Sequence, residues 1–165
     1  MFGLVLALTQ AQAGDLKWKQ YVNERFGYLL QYPPTMVQVG QDPTDGAGRA
    51  YHTTDDDFSI ETGAHFLCIT DPNESIVTHW MAETNDLKAL ITYKRRGDSW
   101  YVVSGVTTNG FVFYHKFFTH GKNWASFHIV YPQAKQKNYS PWVLRIEKTF
   151  VPFLNGQNDQ YDRHD

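Results

Sequence analysis

The sequence predicts an α+β domain, a mostly antiparallel sheet packed with helices. Three observations lead there. Between Leu90 and Tyr131, four runs rich in aromatic and β-branched residues are separated by short polar turns, the pattern of a four-strand meander. Two stretches, one following Asp71 and one following Tyr139, repeat their apolar residues at helical spacing instead. The chain has 165 residues, 42% of them apolar and 16% aromatic, enough for one domain with a single continuous core.

The elements follow in chain order. Met1 to Ala13 carries no charge, holds the apolar stretch Leu4–Leu8 and ends in Ala11-Gln12-Ala13, a small-x-small form. It reads as a signal peptide, with the mature domain spanning 14–154 and a polar tail over 155–165. Trp18, Tyr21 and Val22 at i, i+3 and i+4 predict a short helix before Asn23. A strand is expected over Phe26–Tyr32, stopped by Pro33-Pro34, with others over Met36–Val39, Arg49–Thr53 and Phe58–Ile69. Between them Asp42–Gly48 and Asp55-Asp56-Asp57 are turn-forming loops. A helix with Asn73 or Ser75 as its N-cap carries Ile76, Val77, Trp80 and Met81 on one face and runs to Asn85. The meander strands are Leu90–Tyr93, Trp100–Ser104, Phe111–Phe118 and Trp124–Tyr131. Asn109-Gly110 and Gly121-Lys122 are expected to be two-residue hairpin loops. A last helix should open with Ser140 as N-cap and Pro141 in its first turn.

These residues carry a resemblance. Tyr21-x-Asn23-x-Arg25-Phe26-Gly27-Tyr28 with Tyr32-Pro33, Gly46-x-Gly48-Arg49, Trp100–Gly105, Phe113-Tyr114-x-Lys116 and Tyr131-Pro132 before Arg145-Ile146 resemble small exported bacterial proteins of unassigned function. The order of elements is similar to the PsbP/Mog1-type α-β-α sandwich over nearly all of Lys17 to Phe150. The resemblance implies that fold and a binding or assembly role, and it supplies no active-site residues.

Composition narrows the function classes. With 15 Lys+Arg against 17 Asp+Glu the net charge is −2, without the basic track that holds nucleic acid or a membrane surface. No apolar run reaches the roughly 20 residues of a membrane-spanning helix. The single cysteine, Cys68, excludes a disulfide framework within the chain, and flanked by Leu67 and Ile69 it is expected to be buried and inert. An EF-hand loop ending at Gly46 would need Pro43 as a ligand, so the acidic loops read as turns.

One constellation carries chemistry. If both hairpins have two-residue loops, Ser104 lies opposite His115 and His115 opposite His128, one row across three strands. A Ser beside a His begins a nucleophile–base pair, and two opposed histidines begin a transition-metal site. The pattern places no orienting carboxylate and no third ligand beside them. The row therefore reads as a tolerated, half-wet sheet face, and His115→Ala is expected to leave the fold nearly unchanged. No cofactor or metal is expected. The preferred class is an exported, non-enzymatic domain binding another protein or an envelope component. The alternatives are a small hydrolase or metal-dependent enzyme using the Ser104/His115/His128 row, and an inhibitor or immunity-type partner of a secreted enzyme.

Overall fold

A computed structural model describes residues 17–40, 44–66, 75–86 and 89–154, with only the backbone of Phe66 and Asp86. The expected signal peptide, Cys68 and the polar tail lie outside the described residues. Seven strands form one antiparallel sheet: β3 (Met36–Gln38), β4 (Gly48–Thr53), β5 (Ser59–Phe66), β6 (Ala89–Arg96), β7 (Trp100–Thr107), β8 (Phe111–His120) and β9 (Asn123–Pro132). Their order across the sheet is β3-β4-β5-β9-β8-β7-β6, so the last four make the expected meander. A separate hairpin joins β1 (Lys19–Asn23) to β2 (Tyr28–Tyr32). Helix α1 (Ile76–Asp86) connects β5 to β6, and α2 (Gln136–Thr149) follows β9 after a 3₁₀ turn over Gln133–Lys135.

The sheet buries both faces because its strands alternate two sets of large residues. On β9, Ala125, Phe127, Ile129 and Tyr131 enter the main core with Tyr28, Phe58, Val143, Ile146 and Phe150, beneath α2 and the β1–β2 hairpin. Trp124 and Val130 point the other way, packing with Tyr101, Val103, Phe113 and Phe117 against Ile76 and Trp80 of α1. Aromatics on both faces were the sequence expectation. The result is a three-layer sandwich.

Three local readings change. Lys19–Asn23 is a strand, not a helix, because Asn23 builds the turn that follows. Its Oδ1 accepts the Phe26 N–H at 2.9 Å, its carbonyl accepts the Gly27 N–H at 2.8 Å, and Gly27 takes φ 66°. The last helix begins five residues early, at Gln136, leaving Pro141 inside it. Ser140 does not cap; its hydroxyl donates to the Gln136 carbonyl at 2.7 Å, a side-chain bond back along the helix. The extra turn places Tyr139 against Phe58, Tyr131 and Trp142, where ring packing outweighs the proline penalty. Helix α1 keeps Ser75 as its N-cap, with the Thr78 N–H on Ser75 Oγ and the Ser75 N–H on Thr78 Oγ1.

The third change decides the site. The Gly121-Lys122 loop has two residues, with His120 opposite Asn123 and Gly121 at φ 56°. The β7–β8 loop is one residue longer than expected. The Gly110 N–H closes a turn on the Thr107 carbonyl at 3.0 Å, and Gly110 alone takes a positive φ, 78°. A type I′ turn needs positive φ at Asn109 too, so this is a type I turn followed by a glycine bulge. It shifts β7 against β8 by one residue, and in a sheet one residue changes the face.

Candidate functional site

The shift removes Ser104 from the expected row. Ser104 lies opposite Tyr114, on the α2 side of the sheet, and its hydroxyl donates to the Phe113 carbonyl at 2.8 Å. His115 lies opposite Val103 on β7 and, as expected, opposite His128 on β9. The two imidazoles meet edge to face, centroids 5.7 Å apart, on the α1 side. The serine–histidine pair therefore does not form.

What joins the histidines is an acid from another element. Glu83 of α1 reaches down to the sheet, its Oε1 and Oε2 lying 2.6 and 2.7 Å from His115 Nδ1. The Tyr101 hydroxyl donates to Oε2 at 2.7 Å. Both side chains of the Glu83–His115 pair are mostly shielded, with 17% and 19% of their surface exposed. Burial alone would raise the Glu83 pKa, but the bonds from His115 and Tyr101 hold it below the usual carboxylate value. Burial pushes His128 down to about 4, helped by neighbouring His115 and opposed by Glu83. At neutral pH the cluster is thus a carboxylate, a tyrosine hydroxyl with raised pKa and a neutral His128.

This arrangement fastens α1 to the sheet. A helix of 11 residues is marginal alone, and α1 holds to β7 and β8 through Ile76, Trp80 and the Glu83 bonds. The expectation of a half-wet face with no orienting carboxylate is corrected here, because the His115 ring meets a largely buried carboxylate. The sequence carries a signal for Glu83. It falls at i+3 from Trp80 and i+7 from Ile76, an acid on the helix's apolar stripe. Among the described residues, no three His, Cys, Asp or Glu side chains converge as a metal site.

Helix α1 covers only part of its face. Beside it, over β4 and β5, lies an open groove of about 390 Å³. Its floor is made of small residues, Gly48, Ala50 and Gly63, its wall is Trp124, and Glu61 and His65 stand at the rim. The glycines keep the floor low for two reasons. A Cβ on Gly48 would fall 2.0 Å from the Thr62 carbonyl oxygen, and one on Gly63 would press the Trp124 ring at 3.3 Å. Trp124 is itself held in an aromatic row, stacked between His65 and Phe117 at centroid distances of 6.3 and 5.4 Å. Neither residue set is visible as a groove in the sequence, because it takes the β4–β5 register, with Gly48 opposite Gly63 and Ala50 opposite Glu61, to bring them together.

The acidic loops hold local contacts. Asp45 Oδ1 accepts the Ala47 N–H at 3.0 Å, and Asp57 pairs with Lys135, which lies 3.7 Å from Asp55. Among the described residues no helix is long and apolar enough to cross a membrane.

Comparison with known proteins places the fold. No family model matches the chain, and no curated protein matches it by sequence. Among solved structures, the cyanobacterial PsbP of Synechocystis superposes with a TM-score of 0.59 over 86% of this chain and 96% of its own, at 12% identity. A Pseudomonas aeruginosa protein of unknown function, described as a putative regulator, gives a TM-score of 0.42 at 10% identity, covering 82% of this chain and 96% of its own. The antiparallel sheet between two helical layers is a PsbP-like α+β fold, the architecture that the order of elements implies.

Proposed function

We propose that this chain is an exported, non-enzymatic interaction domain that holds a partner protein or envelope component in the β4–β5 groove. The observation that carries the reading is the contrast between the two features on one sheet face. Glu83 is bonded by His115 and Tyr101, His128 is buried and neutral, and Ser104, the candidate nucleophile, lies on the opposite face of the sheet. The concave, open surface has a small-residue floor beside an aromatic wall, the shape of a ligand-binding surface. The signal-like residues 1–13 support export.

The test uses the full reading frame with a C-terminal tag, cross-linked in its host. The tagged chain is expected outside the cytoplasm, starting at or near Gly14, and joined to a partner that the groove-filling Ala50→Trp variant loses. Ala50 is a partly exposed strand residue on the groove floor, so the variant should fold. A chain retained in the cytoplasm with Met1 intact, or a partner captured equally by the variant, would overturn the reading.

A further inference from the structure

We propose that the free edge of the sheet along β6 is a docking strand for an extended acidic segment of a partner protein. The inference is independent of the groove, which lies over β4 and β5 on the other side of the central strands. Among the described residues strand β6 is the outermost of the seven and pairs only with β7, and it is eight residues long, an edge of roughly 27 Å. The opposite edge, β3, has three residues. An unpaired edge presents main-chain N–H and C=O groups that another strand can complete.

Side chains along β6 define what it accepts. Leu90 is 70% exposed and Tyr93 46%, an unusual exposure for two large residues on one strand. Both share a face, since their partners Val106 and Ser104 alternate along β7. Lys94, Arg95 and Arg96 follow, all exposed, and none has a carboxylate partner among the described residues. Lys94 and Arg96 lie over the Trp80 ring at 5.5 and 5.8 Å, while Arg95 points to the opposite face. A strand laid along this edge meets positive charge on both faces. The charge also chooses between occupants. Carboxylates on an added strand would complement these three cations, whereas a second copy of β6 offers no carboxylate along its own edge.

The edge bends at one point, on either side of which a short added strand has an uninterrupted run. Thr92 is a bulge between Ile91, opposite Gly105, and Tyr93, opposite Ser104. Gly105 permits it, because a Cβ there would fall 2.2 Å from the Leu90 carbonyl oxygen.

The proposal is tested with three fluorescein-labelled octapeptides: alternating Glu and Val, alternating Lys and Val, and the Glu peptide N-methylated at alternate backbone nitrogens. By anisotropy at low salt, the Glu peptide should bind the full chain at least tenfold more tightly than either of the others. It should shift the amide resonances of Ala89–Arg96 and weaken at least fivefold in Arg95→Glu, whose exposed side chain leaves the unfolding midpoint unchanged. Equal binding of the Glu and Lys peptides, or affinity that survives N-methylation, would overturn it. So would shifts confined to the groove, or tighter binding of a ten-nucleotide oligo-dT. If no peptide binds and Lys94→Gln/Arg95→Gln/Arg96→Gln self-associates, the cations only guard a bare edge and the proposal fails.

Discussion

Replacing Phe58 by Ala is expected to destabilise the protein by about 3–5 kcal/mol, the range for truncating a fully buried aromatic. Phe58 is 0% exposed and joins the sheet to α2. Its ring stacks on Tyr131 of the sheet at 5.8 Å and meets Tyr139 and Trp142 of α2 at 5.0 and 5.3 Å. Those neighbours are themselves large and mutually packed, so they collapse poorly into the space left behind. Urea unfolding of both proteins measures the difference. With a loss of that size out of a typical 5–15 kcal/mol, the variant should retain little margin. A cost under 1 kcal/mol would mean that α2 does not depend on this contact.

Acid should remove stability through His128. Its folded pKa of about 4 lies below the ordinary 6.5, so between those values the unfolded chain binds a proton that the folded chain refuses. The stabilisation from keeping the ring neutral is therefore complete above pH 6.5 and is lost as the pH falls towards 4. Over that window the loss is on the order of 3 kcal/mol, about 1.4 kcal/mol per pH unit. Glu83 adds to it at the acid end, since its folded pKa is also depressed and protonation weakens its bonds to His115 and Tyr101. His128→Gln should flatten the stability profile between pH 6.5 and 4 by one proton's uptake while changing little at pH 8. Identical slopes in the two proteins would show that His128 titrates in the folded state as it does in water.

The sequence carries most of the fold because its strands and turns are written locally. The meander, both helices and the two-sided aromatic pattern follow from periodicity and turn residues alone. What is not local is harder to read. Gly110 supplies positive φ in either kind of hairpin, so Asn109-Gly110 signals a turn without deciding between a two-residue loop and a bulge. That one residue of register separates Ser104 from His115. Pro141 after Ser140 has the form of a helix start, but the aromatic contacts of Tyr139 carry the helix back to Gln136. The pairing of His115 with His128 is legible because Gly121-Lys122 closes the shorter loop. Glu83 is visible only as an acid among apolar helix residues. Its partner lies 32 residues away, across the docking of α1 on the sheet.

The central structural claim is that Glu83, His115 and Tyr101 fasten α1 to the sheet. A double-mutant cycle of Glu83→Ala and His115→Ala, followed by urea unfolding at pH 8, tests it most directly. The 2.6 Å contact is a hydrogen bond to a charged group in a shielded site, so the pair should show a coupling of about 1.5–3 kcal/mol. The double variant should cost much less than the sum of the two single ones. Additivity within about 0.5 kcal/mol would contradict it, because the pair would then contribute nothing to holding α1 on the sheet.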